Sequence, residues 1–342
     1  MALPLPGSLT PSKVATFKEC ALAFRLSAID RLPEAPSEAA FKGTVVHRAL
    51  ELLMWEEGPG RRDQEAAFSM LGRALDELLA SREALQLGLS TSQLEDFAAD
   101  ARTLLTNYLA LEDPNAVRVI GTELRLEAQV DGLRLRGIID RLELDRHGQL
   151  VVTDYKTGRA PSAGQEQARL GGVNFYALLC QEVLGRRPAR VQLFHLREPL
   201  AISSEPSDQS ITSLRLQASA IWAAVKRACL REDFRPRPGP LCDWCGYHAY
   251  CPAQGGDLSL LAPADGAAVL QPDGAALLQL DGAAPPEANG AAGPGANGAA
   301  GPGVPEPTGA DALEANGAAG LAAGSARVPG PALSLVEEPS GR

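Results

Sequence analysis

The sequence predicts an α/β or α+β domain with a mixed sheet, because helical and strand patterns follow one another along the chain. Apolar residues recur at helical spacing over most of residues 10–111. Three short runs rich in Val, Ile and Leu come next, separated by residues typical of tight turns, and these indicate consecutive antiparallel strands. A helix and a further strand follow, and this order of elements favours a mixed sheet.

The individual elements follow from capping residues and apolar spacing. Thr10 is a good N-cap and Pro11 suits the first helical position, so the first helix begins there. Asp113-Pro114 ends the helical block, and Gly185 ends a later helix. The pattern predicts helices over about 41–55, 63–89 and 91–111, strands over 117–128, 133–144 and 149–155, a helix over 174–184, a strand over 190–196 and a helix over 211–229.

The composition changes after Tyr250, the last aromatic residue of the chain. Residues 256–342 contain 16 Gly and 11 Pro among 87 residues, and such a composition cannot bury enough apolar area to offset the entropy of the chain. We therefore predict one folded domain over residues 1–255 and a disordered Ala/Gly/Pro-rich acidic tail over 256–342.

The net charge is divided in the same way. The tail has ten acidic residues against two arginines, a net charge of −8, whereas the other 255 residues have 32 acidic and 30 basic residues, a net charge of −2. A globally basic nucleic-acid-binding protein is therefore excluded, but a local basic groove is not.

The chain carries no sequence signal for export or membrane insertion. Residues 1–18 lack the apolar stretch of a signal peptide, and no apolar run approaches the roughly 20 residues that cross a bilayer. We therefore expect a cytoplasmic protein with no membrane partner. In that reducing environment the six cysteines indicate metal or cofactor ligation rather than disulfides.

A pair of acidic strand ends carries the most informative pattern. Asp154 and Lys156 lie two residues apart in the third strand and share a face, while Tyr155 points to the opposite one. If the second and third strands pair, Asp140 reaches the same place as Asp154. Two carboxylates beside an ammonium group suit Mg²⁺, which takes carboxylate oxygens and completes its shell with water and phosphate oxygens. Such a site activates a water molecule, which Lys156 would orient.

The alternative is an ordinary Asp–Lys pair at the surface of a hairpin, which stabilises little. Two neighbours favour the metal site. Asp140 directly follows an apolar run, where a strand end meets a cleft, and Gly158 permits close approach of the backbone.

Together, the Gly-Ile-Ile-Asp-Arg and Asp-Tyr-Lys-Thr-Gly segments resemble the PD-(D/E)xK nuclease superfamily, specifically its RecB-like exonuclease branch, which includes AddB nuclease domains and CRISPR-adaptation nucleases. The resemblance covers about residues 9–252. It implies a restriction-endonuclease-like α/β core, with a mixed sheet flanked by helices and an N-terminal helical segment, that hydrolyses DNA phosphodiesters with Mg²⁺ or Mn²⁺. It also implies Asp140, Asp154 and Lys156 as catalytic residues, with the Tyr155 carbonyl as a further metal ligand.

Two further metal-site residues are implied by the resemblance. The segment from Gly43 to His47 is similar to the helix whose histidine joins the metal shell in this branch, so His47 is a candidate ligand alongside Asp140 and Asp154. Taken alone, such a histidine is more often a half-buried packing residue. Glu123 matches an acidic position of the family loosely.

The helix after the third strand resembles the family's DNA-contacting helix, which carries a Gln-x-x-x-Tyr motif. Tyr176 occupies the tyrosine position and is implied as a catalytic-site residue, with plain core packing as the alternative. Gly172 stands in place of the Gln. Gln165 and Gln167 are candidate substitutes from one or two turns away, and the departure puts DNA positioning in question.

The cysteines form a second candidate metal centre. Cys242, Cys245 and Cys251 make a compact cluster that leaves a tetrahedral site one ligand short, and His248 is the local candidate for the fourth ligand of a structural zinc ion.

The resemblance implies a different fourth ligand. In the iron–sulfur branch, one N-terminal and three C-terminal cysteines hold a [4Fe–4S] cluster, and Cys20 occupies the N-terminal place, although Ala21 stands where a proline is often found. Ligation of all four cysteines would clasp the ends of the domain together. Cys180 and Cys229 lie in apolar helical patterns and are expected to be buried packing residues.

The resemblance, together with these residues, thus implies a Mg²⁺- or Mn²⁺-dependent DNA exonuclease with an iron–sulfur cluster, acting on DNA ends or single strands in repair or recombination. The Walker A sequence Gly-x₄-Gly-Lys-Ser/Thr is absent, so a separate partner would have to supply helicase activity. A non-catalytic DNA-end-binding protein and a CRISPR spacer-processing nuclease are the alternatives. Arg25 and Arg141, beside motif positions, are candidate phosphate contacts.

Overall fold

The computed structural model describes residues 2–160 and 166–261, except the side chains of 166–170. The N-terminal third is helical, as predicted, and polar side chains cap its helices. Thr10 accepts a hydrogen bond from the Lys13 N–H at 3.2 Å, and such a cap satisfies one of the free donors at a helix start. The helices are α1 (Pro11–Glu19), α2 (Ala21–Phe24), α3 (Glu38–Glu56), α4 (Gln64–Leu78), α5 (Arg82–Leu87) and α6 (Thr91–Leu111), with a π-helical turn over Arg25–Ile29.

Five strands form one mixed sheet in the order β1-β2-β3-β4-β5, with β3 and β4 parallel and the other neighbours antiparallel. The β1–β2 hairpin turns at Asp131 and Gly132, with φ of 51° and 75°, as a two-residue type I′ turn requires. The predicted mixed α/β fold is confirmed. Its elements are β1 (Arg118–Val130), β2 (Leu133–Leu144), β3 (Leu150–Lys156), α7 (Glu166–Leu184), β4 (Arg190–His195), β5 (Leu200–Ser204) and α8 (Asp208–Arg231).

Helices cover both faces of the sheet. On one face, the apolar sides of α3, α4 and α6 pack together and enclose Tyr155 and Phe194. On the other face, α7 and α8 pack against alternate residues of β1 and β2, such as Leu126 and Leu135. Each fully buried side chain of this size stabilises the fold by about 1.5–3 kcal/mol. These two layers place α3 and α7 on opposite sides of the strands that carry the predicted site.

A third cluster joins the two ends of the domain. Leu22 of α2 packs with Val225 of α8 and with Leu258 and Leu261. The folded chain therefore extends to Leu261, six residues beyond the predicted boundary. The rest of the predicted disordered tail, residues 262–342, lies outside the described residues.

Three elements differ from the sequence-based prediction. α7 begins at Glu166, eight residues before the expected start at residue 174. The helix expected over 63–89 is interrupted before α5, because the Ser81 side chain accepts a hydrogen bond from the Ala84 N–H at 3.2 Å and thereby begins a new helix. β5 has one buried residue, Ile202, and this pattern is too weak to predict an edge strand. Among the described helices, none is long and apolar enough to cross a membrane.

Arg141 is the most deeply buried charged residue of the sheet, with none of its side chain exposed. Its guanidinium is ion-paired with Glu112 and Glu143. It also donates hydrogen bonds to the Tyr155 hydroxyl at 2.9 Å and the Thr153 hydroxyl at 3.2 Å. The prediction that Arg141 contacts phosphate is therefore wrong, because every face of its guanidinium is enclosed by protein. Its role is to hold β2, β3 and the end of α6 together.

Arg25, the other predicted phosphate contact, lies in the π-helical turn. Its Nε is 3.0 Å from Asp30 Oδ2, and 18% of its side chain is exposed. The phosphate contact stays a prediction for this residue, and any phosphate would compete with Asp30.

We predict that Arg141→Met destabilises the domain by about 3–5 kcal/mol, because it leaves two buried carboxylates without their cation. Urea unfolding followed by circular dichroism measures the change. Arg82→Met, at an exposed position of α5, is the matched control and should change the unfolding free energy by less than about 0.5 kcal/mol. An Arg141→Met protein of normal stability but weakened DNA affinity would restore the phosphate-contact interpretation.

Candidate active site

The paired part of β2 and β3 stops next to the predicted acidic residues. Arg141 and Thr153 form the last residue pair. Beyond it, Asp140 Oδ2 accepts a hydrogen bond from the Tyr155 N–H at 2.7 Å, so the carboxylate satisfies a backbone donor where the strand ladder ends. Asp140 and Asp154 lie close enough for the charge of Asp140 to act on Asp154. The structure thus brings the two predicted carboxylates together.

α3 brings His47 to the same place. One turn earlier, Gly43 lies against Thr157, and a Cβ there would come within 3.2 Å of the Thr157 hydroxyl oxygen. His47 Nε2 lies 3.1 Å from the Tyr155 carbonyl oxygen, and Nδ1 lies 3.5 Å from Asp140 Oδ2. Both contacts are with groups that are themselves candidate metal ligands, so the packing of Gly43 brings His47 into the same ligand group.

Glu123 completes a group of three candidate metal ligands. One ligand atom from each of His47, Glu123 and Asp140 lies within 4.8 Å of the others. Glu123 adopts a left-handed φ of 45° within β1, which costs a residue with a side chain on the order of 1–3 kcal/mol. A register shift precedes it, between Val119 and Gly121. The position of Glu123 depends on this register shift, which sequence spacing does not predict, so the sequence matched Glu123 only loosely. Gly121 is the one residue in the sequence that hints at the shift.

Asp154 and Lys156 flank this group from β3. Asp154 has 6% of its side chain exposed and is ion-paired with Lys156, which is 48% exposed. Burial, and then the neighbouring charge of Asp140, raise the pKa of Asp154 to about 6, against the opposing effect of Lys156. The ammonium group is therefore accessible to solvent and held directly against a buried carboxylate.

The site holds more negative charge than its surroundings balance. Burial, and then the charge of Asp140, raise the pKa of Glu123 to about 7. Three carboxylates thus face one imidazole and one ammonium group. A hard divalent cation would relieve this repulsion, and carboxylate and imidazole groups are among the ligands that Mg²⁺ and Mn²⁺ accept. The donor set therefore fits the implied metal.

Tyr176 lies on α7 beside the same strands. A Cβ at Gly137 would come within 2.9 Å of its ring, so the glycine allows the helix to approach β2. Burial, and then the charges of Asp154 and Asp140, raise the pKa of Tyr176 well above its usual value. The hydroxyl therefore stays protonated and remains a hydrogen-bond donor near the carboxylates. The ring of Tyr176 packs in the core while the residue lies near the candidate site, so the core-packing and site-residue interpretations do not exclude each other.

The helix position expected to carry Gln is occupied by Gly172, which is exposed. Gln165 and the side chain of Gln167, the two candidate substitutes, lie outside the described residues. Their proposed replacement of the family's Gln stays a prediction.

A model of the PD-(D/E)XK nuclease superfamily matches residues 8–252. This range contains the whole acidic site. The chain belongs to this superfamily. The (D/E)-x-K element of the superfamily name corresponds in this chain to Asp154, Tyr155 and Lys156.

Two curated relatives of this superfamily member match part of its length. Gene 69 protein of Mycobacterium phage L5 is 25% identical over 196 residues, 56% of this chain and 64% of that protein. A component of the ATP-dependent helicase/deoxyribonuclease of Streptococcus mutans is 28% identical over 165 residues, 45% of this chain and 14% of that protein. The chain thus spans less than two thirds of either relative.

One similar crystal structure is that of a candidate exonuclease from Eubacterium rectale. It aligns with a TM-score of 0.43 and 10% identity, over 70% of this chain and 87% of that chain. The superfamily assignment therefore rests on the family model rather than on this alignment.

The nuclease domain also brings together the four predicted cluster cysteines. Cys20 lies at the C-terminal end of α1 and lines one cavity with Cys242, Cys245 and Cys251. All four are free and half-buried. Burial and the neighbouring thiols raise the pKa of Cys245, against a hydrogen bond from the Tyr247 N–H. Residues more than 220 positions apart in the sequence thus meet at one place.

Backbone donors face two of these sulfurs. The Arg237 N–H donates to Cys20 Sγ at 3.5 Å, and the Gly239 N–H donates to Cys242 Sγ at 3.3 Å. His248, the alternative zinc ligand, instead turns Nε2 to the Cys242 carbonyl oxygen. The four thiols thus share one cavity, and backbone N–H groups donate to the sulfurs of Cys20 and Cys242.

The other two cysteines are packing residues. Cys180 is fully buried in α7, and Cys229 is 1% exposed in α8. Burial raises the pKa of both thiols, which keeps them protonated and unreactive. This part of the prediction is confirmed.

We predict that Glu123→Gln stabilises the metal-free protein at pH 8 by about 1–2 kcal/mol, roughly 3–8 °C in Tm. The folded-state pKa of Glu123, about 7, lies above its ordinary value of 4.5. The ionised carboxylate therefore opposes folding increasingly as the pH rises from the ordinary pKa to the folded-state pKa, and fully above it. At pH 5 Glu123 is protonated in the folded protein and the difference should shrink. Thermal melts at both pH values in EDTA measure it.

The same variant should lose most of the rise in Tm that Mn²⁺ produces in the unmodified protein, because one ligand has lost its charge. Glu95→Gln, at an exposed position of α6, is the control. A full Mn²⁺ response in Glu123→Gln would show that Glu123 does not bind the metal.

Proposed function

We propose that this chain is a metal-dependent deoxyribonuclease of the RecB-like branch, an exonuclease acting on DNA ends or single strands in repair or recombination. The observation that supports it is the convergence of Glu123, Asp140, His47 and the Asp154–Lys156 pair at one strand end. In an ion-pair network that only stabilises the fold, opposite charges balance one another. Here three buried or half-buried carboxylates lie together, and the pKa values of Glu123 and Asp154 are raised, which is typical of a functional site.

The groups that would hold Mg²⁺ or Mn²⁺ are the side chains of His47, Glu123, Asp140 and Asp154, with the Tyr155 carbonyl oxygen. When bound, such an ion supplies Lewis acidity at the phosphate and acidifies a water molecule. The protein contributes a fixed arrangement of oxygen and nitrogen donors. His47 is oriented from two sides, and Asp140 is anchored by the Tyr155 N–H.

Lys156 is suited to handle the attacking water. Its ammonium group contacts Asp154, and about half of its side chain is exposed, so it reaches both the site and the substrate. It can donate a hydrogen bond that orients the water, and its charge offsets the negative charge that develops on the phosphate oxygens.

Tyr176 supports the reaction from α7. Its protonated hydroxyl lies near Asp154 and Asp140, where it can donate to a phosphate oxygen or to a ligand carboxylate. The ring is packed on β2 at Gly137, so the hydroxyl position is fixed by the fold rather than by the substrate.

The partner and the pathway belong to this proposal as well. One relative is named as a subunit of a helicase/deoxyribonuclease, and this chain has no Walker A sequence, which favours a separate helicase partner. A non-catalytic DNA-end-binding protein on the same fold is the second candidate, and Gly172 in place of Gln favours it. Trimming of CRISPR spacer precursors would use the same chemistry.

We predict that Asp154→Asn lowers cleavage of single-stranded DNA at least about 10³-fold, because it removes a charge from the metal site without changing its shape. DNA binding measured by fluorescence anisotropy in Ca²⁺ should stay within about threefold of the unmodified protein. Linear and circular single strands, compared in the same assay, separate exonuclease from endonuclease cleavage.

Asp96→Asn, exposed on α6, is the matched control and should cleave normally. Unchanged cleavage by a folded Asp154→Asn protein would refute the proposed mechanism. An unmodified protein that binds DNA ends in Mn²⁺ without cleaving them would establish the DNA-binding alternative.

The proposed cofactor set includes a [4Fe–4S] cluster held by Cys20, Cys242, Cys245 and Cys251, with structural zinc as the alternative. The convergence of four half-buried thiols from the two ends of the domain supports the cluster. A crosslink over so long a loop stabilises by several kcal/mol, on the order of a long-range disulfide. The cluster then has a structural role, distant in function from phosphate hydrolysis.

We predict that Cys20→Ser removes most of the iron and the visible thiolate-to-iron absorption from anaerobically purified protein, because it opens the cluster at its one N-terminal ligand. Iron analysis and absorption spectra measure both. Cys180→Ala, at a buried position outside the group, should keep the iron content of the unmodified protein. A colourless protein that contains one zinc ion per chain would show that the four cysteines hold structural zinc and not an iron–sulfur cluster.

A further inference from the structure

The β1–β2 hairpin extends well past the metal-ligand group. β2 pairs with β3 only over its last residues, 141–144, but with β1 along nearly its whole length. Residues 123–140 therefore form a two-stranded ribbon, joined on its other edge by a bridge from Leu9 to Leu135. We call this segment the ribbon.

The two faces of the ribbon are opposite in character. The inner face is apolar and packs into the core beneath α7, through Leu126, Ala128, Val130, Leu133 and Leu135. The outer face is exposed and mainly polar, with Arg125, Glu127, Gln129, Arg134 and Arg136, and it also includes the partly exposed Ile138 opposite Arg125. Because the inner face is anchored in the core, the outer face has a fixed position relative to the metal site.

The outer face leads directly away from the metal-ligand group. Arg125 lies two residues after Glu123 in β1, and its charge acts on that carboxylate. The register then places Glu127 opposite Arg136 and Gln129 opposite Arg134. Successive steps of two residues along a strand are about 7 Å long. This spacing is of the same order as the distance between neighbouring phosphates of a nucleic acid strand.

The charge of this face suits a polyanion. Three arginines oppose one glutamate, although the folded domain as a whole has a slightly negative net charge. Glu127 contacts the guanidinium of Arg134 and lies 3.3 Å from that of Arg136, so it holds two arginines side by side. Preoriented guanidinium groups bind phosphate oxygens in a bidentate manner.

Another arginine group lacks this continuity with the site. Arg190 pairs with Val151, at the start of β3, whereas Lys156 lies at the opposite end of the same strand. Arg186 is held near that start by a hydrogen bond to the Gly148 carbonyl at 2.9 Å. The ribbon therefore offers three arginines that continue from the metal-ligand group along one surface, which the group at Arg186 and Arg190 does not.

We propose that the ribbon binds the substrate strand, with Arg125, Arg136 and Arg134 contacting successive phosphates on one side of the scissile bond. This inference rests on the proposed nuclease function and specifies where the strand lies. The three arginines of the ribbon contribute to substrate affinity and not to the chemical step, because none of them belongs to the metal-ligand group. The alternative is a set of surface cross-strand ion pairs, which would stabilise the hairpin slightly and bind nothing.

The test compares the triple variant Arg125→Gln/Arg134→Gln/Arg136→Gln with a charge-matched control, Arg82→Gln/Arg102→Gln/Arg118→Gln, at exposed positions outside the ribbon. Binding of single-stranded oligonucleotides is measured in Ca²⁺ over a range of salt, and cleavage in Mn²⁺. Three lost phosphate contacts should lower the slope of log affinity against log salt by about 2, since each contributes about 0.7. KM should rise roughly 10- to 100-fold with kcat within about twofold, and the control should change neither.

Substrate length provides a readout that a structural role would not move. Oligonucleotides shortened by about three phosphates on the ribbon side should bind the triple variant and the unmodified protein alike. Shortening each end in turn identifies that side. Glu127→Gln should tighten binding roughly threefold, because it removes the one negative charge among the arginines.

The outcomes separate this inference from the function it rests on. If the unmodified protein cleaves DNA and the triple variant has the same KM and salt slope as the unmodified protein, the proposal that the ribbon binds the substrate is refuted, while the proposed nuclease function is retained. If the unmodified protein neither binds nor cleaves DNA, both are overturned.

Discussion

The metal site depends on a buried arginine that does not belong to it. Arg141 gathers Glu112, Thr153 and Tyr155 around one guanidinium group on the α3 and α6 side of the sheet. Because side chains alternate along a strand, holding Thr153 and Tyr155 on this side directs Asp154 to the other. The desolvation of the guanidinium is offset by carboxylates and hydroxyls in its immediate contact. The arginine thus sets the geometry of the strand that carries the Asp154–Lys156 pair.

The arrangement works against the stability of the folded chain. Burial and mutual repulsion raise the pKa values of Glu123 and Asp154, and the backbone at Glu123 is strained. Nothing in the local sequence favours such a conformation, so the two apolar layers that enclose the sheet must impose it. Backbone strain and charge repulsion of this kind are concentrated at sites that bind a ligand, because the ligand relieves them and no side chain of the protein does so. A divalent metal would therefore bind to a candidate site that the fold has already formed.

Sequence patterns predicted the features that local rules determine. The type I′ turn at Asp131-Gly132, the cap at Thr10 and the shared face of Asp154 and Lys156 all follow from the chemistry of a few neighbouring residues. Glu123 could not be placed in this way, because its position depends on an irregular strand pairing. Arg141 was misassigned because its neighbour Asp140 lies in the site, whereas the arginine itself turns into the core.

The cysteines illustrate a different limit of sequence analysis. Spacing alone groups Cys242, Cys245 and Cys251, and it leaves His248 as the natural fourth ligand. The family resemblance, not the spacing, named Cys20 as the fourth ligand, and the packing of α2 against α8 brings it there by closing a loop of more than 220 residues. A contact between residues so far apart in the chain leaves no periodic pattern in the sequence. Burial of the surrounding apolar cluster offsets the conformational entropy that is lost when the loop closes.

The charge distribution explains why recognition has to be local in this nuclease. Residues 1–255 have a net charge of −2 and residues 256–342 a net charge of −8, so the overall field repels a polyanion rather than attracting it. Affinity for DNA must then come from short-range contacts that are strong enough to overcome this repulsion. Arginine is suited to such contacts, because its planar fork binds a phosphate with two hydrogen bonds, whereas lysine acts as a point charge. Only five of the 32 basic residues are lysines, and one of these, Lys156, contacts Asp154 in the candidate site, where a mobile point charge suits the proposed orientation of a water molecule.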